Sequence, residues 1–183
     1  MLLGRAGAHC AAGSTLQVLN LGFGCGAFER FLSCFMPSAA LTSVELRAEM
    51  VNLARRYFFV PSSWPVTVDD AEHFVANNQQ HYDLVLCDLF SGATHAPCLS
   101  HSDFYRHLAR LSTAHGVTAL NLSPANDNDL LQLLQLMRPH FAGIHLTTVA
   151  GHDNVVVLLS KRAALPWSED QLAQLEQQWG VPL

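Results

Sequence analysis

Glycines and acidic residues recur where short apolar runs of this sequence end, and these residues have the clearest capacity for chemistry. The run Gln17–Leu21 is followed at once by Gly22-Phe23-Gly24-Cys25-Gly26. Glycine is required where a backbone passes close to a ligand or adopts a positive φ. The Gly-x-Gly-x-Gly spacing favours a nucleoside that carries a sulfonium over a dinucleotide, whose pattern would place glycine at Ala27. Three glycines can also form nothing more than a tight turn.

Acidic residues follow three further apolar runs at comparable places: Glu45, the pair Asp69 and Asp70, and Asp88. Glu45 comes about twenty residues after the glycines, which suits hydrogen bonds from two ribose hydroxyls. The aspartate pair, with Ala71, would lie beside an adenine amino group. Each acid alone is more simply a helix N-cap or a solvated loop residue. Because all of them fall at strand ends on one edge, the sequence predicts a ligand crevice there.

The elements that must position these residues alternate along the chain. Strands are predicted over Gln17–Leu21, 41–45, Val66–Val68, 83–88 and 117–122, and helices over Ala27–Phe35, 47–59, Ala71–Asn77, 101–112 and Asp127–Met137. Segments 144–149 and 154–160 indicate a terminal antiparallel pair, and 168–179 a last amphipathic helix. Such alternation predicts an α/β fold, with a mostly parallel central sheet, helices on both faces and a terminal antiparallel strand. Residues 1–183 are expected to form a single domain.

Two expectations concern the core. The helix over 47–59 is predicted to bury one face made of Met50, Leu53, Ala54, Tyr57 and Phe58. The three phenylalanines Phe23, Phe28 and Phe31 are expected to pack in the core, although Phe23 lies in the glycine turn and could touch a ligand.

Composition limits the classes of protein. The net charge is −5 and the ten basic residues are dispersed, which disfavours nucleic acid as a partner. No apolar run approaches the ~18–20 residues of a membrane-spanning helix, so no membrane partner is expected. Five cysteines without a Cys-x-x-Cys, behind a start too short for a signal peptide, indicate reduced thiols and a cytoplasmic protein. The ten histidines lack the spacing of a metal site, and no metal is expected.

Several stretches together resemble one family. They are 18–26, 44–46 with 54–58, 68–74, 82–88, the segment from Pro97 to Tyr105, Gly116-Val117 and Asn121-Leu122. Their order and spacing resemble the catalytic domain of spermidine synthases and spermidine synthase-like proteins. That domain has the Rossmann-like fold of class I S-adenosylmethionine-dependent methyltransferases. The resemblance covers about residues 16–122, and the small amino-terminal β domain of the synthases is expected to be absent.

The resemblance implies a transferase of polyamine biosynthesis, which moves an aminopropyl group from decarboxylated S-adenosylmethionine to an amine. It implies that Asp88 is the catalytic base, that Glu45 holds the ribose, and that Asp70 with Ala71 holds the adenine. The candidate residues for binding S-adenosylmethionine or its decarboxylated form are Gly22, Phe23, Gly24, Cys25, Gly26, Glu45, Leu46, Asp69, Asp70, Ala71 and Asp88. The implied partners are small molecules, the nucleoside and an amine, together with a second copy in a homodimer.

Two positions that are acidic in the family are Cys25 and Ser91 here. A site for a dication loses about 1.5–3 kcal/mol with each charge-assisted hydrogen bond. Three hypotheses therefore stay open. The first is a spermidine synthase-like transferase. The second is an S-adenosylmethionine-dependent methyltransferase on the same fold, and the third is a catalytically silent nucleoside-binding or interaction protein.

Overall fold

A computed structural model of the protein describes residues 15–92, 94–148 and 153–163. Its strands are β1 (Gln17–Leu21), β2 (Ala40–Glu45), β3 (Val66–Val68), β4 (Tyr82–Cys87), β5 (Phe90–Ser91), β6 (Thr94–His95), β7 (Ser112–Leu122), β8 (Gly143–Thr148) and β9 (Val155–Ser160). Its helices are α1 (Ala27–Phe35), α2 (Ala48–Tyr57), α3 (Ala71–Asn77), α4 (Ser102–Leu111) and α5 (Asp127–Met137), with a 3₁₀ turn over Pro97–Ser100. The predicted helix over 168–179 lies outside the described residues.

Seven strands form one sheet in the order β3-β2-β1-β4-β7-β9-β8. The first five are parallel to one another, whereas β9 runs antiparallel to both β7 and β8. Helices connect the parallel strands, because a parallel connection must cross back over a face of the sheet. The predicted mostly parallel sheet with a terminal antiparallel pair is confirmed.

The sheet separates two apolar layers, as expected of strands buried on both sides. On one face, Tyr105 of α4 and Met137 of α5 pack with alternate residues of the strands, among them Leu19 and Leu21. On the other face, Leu32 of α1 packs with the intervening residues. Each leucine buried fully in this way contributes about 1.5–3 kcal/mol. The two layers hold the strand ends in fixed register.

The predicted face of α2 is correct only in part: Ala54 is buried and Met50 is half-buried, but the other three residues are exposed. Leu53, Tyr57 and Phe58 are 44%, 58% and 50% exposed, and the residues that α2 buries are Val51 and Ala54. The buried face passes through Val51 rather than Leu53, because Val51 and Ala54 form a cluster with Phe23 and Val60 beside the helix.

The phenylalanine expectations are met to different degrees. Phe23 is buried, whereas Phe28 and Phe31 are partly buried against the α1 layer. In the described part of the chain, every helix is too short or too polar to cross a bilayer.

Candidate functional site

A crevice runs along the edge where the parallel strands end. Pairing of Leu21 with both Val44 and Cys87, and of Glu45 with Val68, brings the carboxyl ends of β1 to β4 to one level. Eight of the residues predicted from sequence line it: Gly22, Gly24, Glu45, Leu46, Asp69, Asp70, Ala71 and Asp88. In open parallel sheets ligands bind at this edge, so the structure brings these residues together where a ligand would lie.

The three glycines of the turn differ in what surrounds them. All three have positive φ, at 94° for Gly22, 54° for Gly24 and 75° for Gly26. A Cβ on Gly22 would lie 2.2 Å from the backbone oxygen of Asp88, and one on Gly26 2.7 Å from Val60. A Cβ on Gly24 would meet no atom within 4 Å. Gly22 and Gly26 are therefore needed for packing, and Gly24 leaves space open.

Glu45 joins the glycine turn to the end of β2. The backbone N–H of Gly24 donates to Oε2 of Glu45 at 3.1 Å, and the N–H of Arg47 donates to Oε1 at 3.1 Å. The side chain is 8% exposed. A carboxylate accepts about four hydrogen bonds, so each oxygen keeps capacity for a further donor. Two backbone amides thus fix a carboxylate that can still accept from a diol.

Asp69 and Asp70 begin α3 as well as lining the crevice. Oδ1 of Asp70 accepts from the N–H groups of Glu72 and His73 at 2.8 and 3.1 Å, which makes Asp70 the N-cap of α3. Oδ1 of Asp69 accepts from the N–H of Asp70 at 2.8 Å and contacts Nδ1 of His73 at 3.0 Å. The simpler interpretation of Asp70 as a helix cap is therefore correct, and it is compatible with a second role toward a ligand.

Asp88 lies at the end of β4 beside the glycine turn. Its N–H donates to the carbonyl of Leu21 at 2.9 Å, and its Oδ1 accepts from Nδ2 of Asn121 at 2.9 Å. Asn121 is held in turn, because its Oδ1 accepts from Nδ2 of Asn154 at 2.9 Å. A chain of three polar side chains thus connects the ends of β4 and β7 to the residue before β9.

Three predicted site residues do not line the crevice. Phe23 packs into a small core cluster with Val51, Ala54 and Val60. Gly26 is buried against that cluster, and Cys25 is half-buried in the turn outside the crevice lining.

The structure also adds crevice residues that sequence reasoning missed: Val44, Arg47, Met50, Leu89, Phe90, Ala96 and Cys98. Arg47 and Met50 follow β2 closely, and the strand-to-helix spacing could have indicated them. Phe90 and Ala96 belong to a β5–β6 hairpin and its exit, where Phe90 pairs with His95. Hairpins of two-residue strands carry no apolar periodicity, so nothing in the sequence pattern signalled this part of the site.

The thiol of Cys98 at the crevice is held neutral. Burial, together with the nearby carboxylates of Glu72 and Asp70, raises its pKa to about 12 from an ordinary value of 9.0. Burial also raises the pKa of the Cys87 thiol. Since a thiolate is the nucleophilic form of cysteine, these two residues are unreactive near neutral pH.

We expect the melting temperature to fall as pH rises from 9 toward 12. The unfolded chain loses the Cys98 proton near its ordinary pKa, whereas the folded chain keeps it up to about pH 12, so ionisation favours unfolding across that window. Thermal unfolding of wild type and Cys98→Ala between pH 8 and 11 checks this. The variant should lose less stability over the same interval, and equal slopes would contradict the assignment.

Within the described ranges, no three His, Cys, Asp or Glu side chains cluster closely enough to hold a metal ion. The crevice is lined by four carboxylates, those of Glu45, Asp69, Asp70 and Asp88, and by one guanidinium, that of Arg47. Such a site suits an uncharged or cationic ligand rather than an anion.

No protein-family model matches the chain. It is 28% identical over 120 residues to a probable polyamine aminopropyl transferase of Bifidobacterium longum, covering 66% of this chain and 27% of that protein. It is 23% identical over 150 residues to the polyamine aminopropyltransferase of Chromobacterium violaceum, covering 80% and 58%. The chain resembles polyamine aminopropyltransferases. It spans less than two thirds of the length of these curated relatives.

Solved structures show the same fold. The human Methyltransferase-like protein 13 in complex with SAH superposes with a TM-score of 0.85 at 18% identity, covering 100% of this chain and 91% of that one. A probable spermidine synthase from Corynebacterium glutamicum gives 0.77 at 22% identity, with 100% and 73% covered. A spermidine synthase in complex with the transition state analogue AdoDATO gives 0.69 at 14% identity, with 92% and 70% covered. The predicted class I methyltransferase fold is confirmed.

Proposed function

We propose that the chain binds decarboxylated S-adenosylmethionine in the crevice and transfers its aminopropyl group to an amine. The observation that carries the proposal is the convergence of Gly24, Glu45, Asp70 and Asp88 on one crevice at the carboxyl ends of β1 to β4. Sequence similarity to polyamine aminopropyltransferases supports the reaction class. The single-domain organisation and the homodimer stay predictions.

In this proposal the nucleoside lies across the glycine turn. The remaining lone pairs of the Glu45 carboxylate accept from the two ribose hydroxyls, and the open space at Gly24 receives the sugar. Asp70 and the Ala71 N–H would bind the adenine edge, at the start of α3. The sulfonium end then points toward Asp88, so that the donor spans the crevice from β3 to β4.

In this proposal Asp88 neutralises the charge of an ammonium ion and then accepts one of its protons. An amine reaches the site as an ammonium ion, which a carboxylate binds by a charge-assisted hydrogen bond. Removal of one proton by Asp88 frees the nitrogen lone pair for in-line attack on the carbon next to the sulfonium. Asn121 holds the Asp88 carboxylate at Oδ1 and so fixes the direction of its other oxygen.

A methyltransferase is the second candidate. The high structural similarity to Methyltransferase-like protein 13 favours it, as does an 80-residue segment that is 35% identical to the eEF1A lysine and N-terminal methyltransferase homolog of Drosophila melanogaster. That segment covers 41% of this chain and 12% of that protein. The resemblance implies an acid at position 25 that contacts the aminopropyl amine, and this chain has Cys25 there. A methyltransferase does not need that acid, because its donor carries no aminopropyl amine.

Calorimetry with three ligands separates the candidates. Tighter binding of decarboxylated S-adenosylmethionine than of S-adenosylmethionine supports aminopropyl transfer, and the reverse order supports methyl transfer. Methylthioadenosine, which has neither the sulfonium charge nor the amine-bearing chain of the two donors, should bind in either case. Binding of none of the three at millimolar concentration would favour an interaction protein and contradict both enzymatic candidates.

We expect Glu45→Gln to weaken methylthioadenosine binding by about 10- to 100-fold, because hydrogen bonds to a charged group contribute about 1.5–3 kcal/mol. The amide that replaces one oxygen would also face the N–H of Gly24 or Arg47. Glu49→Gln, with the same charge change on the exposed side of α2, is the matched control and should bind normally. Equal affinity in the two variants would remove Glu45 from the nucleoside site.

A further inference from the structure

A second cavity shares Asp88 with the crevice. It has a volume of about 230 Å³ and lies toward the face of the sheet that α1 covers. We call it the Asp88 cavity and define it by six residues: Phe28, Leu86, Asp88, Ala119, Asn121 and Val156. Because one carboxylate borders both spaces, a group bound in the cavity would meet a donor bound in the crevice at Asp88.

The Asp88 cavity has one polar end and apolar walls. Among the described residues that line it, Asp88 alone carries a charge, and the Asn121 carboxamide lies beside it. Phe28 comes from the first turn of α1, Leu86 and Ala119 from the sheet, and Val156 from β9. The lining thus offers one carboxylate and one carboxamide, and its other side chains are apolar.

Hydrogen bonds hold the Asp88 carboxylate in place at the polar end of the cavity. Nδ2 of Asn121 donates to Oδ1 of Asp88, and Asn154 orients Asn121 through its own amide. Since a carboxylate accepts about four hydrogen bonds, Asn121 leaves capacity for the donors of an ammonium group. Ser91, where the resemblance implies a second acid, is a neutral and exposed residue of the β5–β6 hairpin.

We propose that the Asp88 cavity binds the acceptor, and that the acceptor is a small monoamine with an apolar body rather than a diamine. This rests on the proposed function and names its substrate class. Asp88 pairs with one ammonium group, and the apolar walls accommodate a hydrocarbon tail. A second ammonium group of a diamine would find no second carboxylate among the residues that line the cavity, so it would gain no charge-assisted hydrogen bond there.

Aminopropyl transfer in this cavity needs no reactant besides the amine, the sulfonium donor and the Asp88 carboxylate. Asp88 accepts one proton from the ammonium group, and the nitrogen lone pair forms a C–N bond to the methylene carbon attached to the sulfonium. The C–S bond breaks, and its electron pair stays on sulfur, which leaves as a neutral thioether in methylthioadenosine. The positive charge moves from sulfur to the alkylated nitrogen, and the proton remains on Asp88 until water removes it.

The test compares two amines of equal length, n-butylamine and 1,4-diaminobutane. Calorimetry on the full chain saturated with methylthioadenosine should show at least tenfold tighter binding of n-butylamine, and Asp88→Asn should weaken that binding. Turnover with decarboxylated S-adenosylmethionine should follow the same order. Tighter binding of the diamine, or binding of neither amine, would overturn the proposal. Asp88-dependent binding of n-butylamine without any turnover would contradict aminopropyl transfer while supporting the monoamine site.

A carboxylate placed in the apolar wall should weaken the preference for n-butylamine over 1,4-diaminobutane. Phe28→Asp adds a carboxylate within the first turn of α1, where an acid is favourable to the helix, and should shift the affinity ratio toward the diamine by tenfold or more. Phe28→Leu, which keeps the wall apolar, is the matched control and should retain the preference for n-butylamine. The wild-type comparison decides the proposal even where Phe28→Asp lowers the melting temperature.

Discussion

Asp88→Asn should reduce aminopropyl transfer by about 10²- to 10⁴-fold, the range that general acid–base groups contribute. Asparagine has the same shape, and its Oδ1 can still accept from Asn121, but it cannot take a proton from an ammonium group. The backbone bond from residue 88 to Leu21 is unaffected, so the melting temperature should change little. The measurement is single-turnover transfer from decarboxylated S-adenosylmethionine, with methylthioadenosine affinity measured in parallel.

The control for Asp88→Asn is Asp103→Asn, which removes one negative charge from the exposed surface of α4, outside the crevice. It should leave transfer at the wild-type rate. Wild-type turnover in Asp88→Asn would remove Asp88 as the base. A parallel loss of nucleoside affinity would instead show that Asp88 binds the donor.

Gly22→Ala should be the most destabilising single change in the glycine turn. The added Cβ would lie 2.2 Å from the backbone oxygen of Asp88, and φ of 94° is a conformation that residues other than glycine rarely adopt. Overpacking costs about 1–3 kcal/mol and a strained φ about another 1–3 kcal/mol. At roughly 2–4 °C per kcal/mol for a chain of this size, the melting temperature should fall by about 4–24 °C.

Gly24→Ala should distinguish the cost of steric crowding by the added Cβ from the cost of backbone strain at positive φ. Its φ is also positive, at 54°, but the added Cβ would meet no atom within 4 Å. We expect it to cost only the strain, while methylthioadenosine affinity falls because the Cβ occupies space that the ligand would use. Thermal unfolding and calorimetry on both variants give the comparison, and equal destabilisation of the two would contradict the packing role of Gly22.

The parallel half of the fold was predictable because its elements repeat one simple pattern. Strong local apolar periodicity located β1, α1, β3, α3 and α5 with the observed bounds. The buried face of α2 was predictable only in part: Ala54 is buried as expected, but Val51 takes the place expected for the larger Leu53 and Tyr57. The burial of Val51 and Ala54 depends on contacts with Phe23 and Val60, which are made only once the glycine turn has formed.

The candidate site also has features that the sequence predicts and features that it does not. Acids at strand ends could be expected to meet, because parallel strands bring all their carboxyl ends to one edge. The link from Asp88 through Asn121 to Asn154 could not be expected, since each of its two hydrogen bonds joins residues 33 positions apart. The first connects the ends of the parallel strands β4 and β7, and the second connects β7 to the residue before the antiparallel strand β9. The hairpin that brings Phe90 to the crevice is likewise too short to leave a periodic signal.

The crevice and the Asp88 cavity take their residues from different stretches of the chain. Every crevice residue precedes position 99, whereas Ala119, Asn121 and Val156 of the Asp88 cavity come later in the chain. In the proposed function, the residues that contact the donor therefore all come from the first part of the chain, whereas half of the residues that define the acceptor cavity come from β7 and β9. Asp88 lines both spaces. Substitutions at Ala119 and Val156 can therefore reshape the proposed acceptor cavity without replacing any residue that lines the crevice.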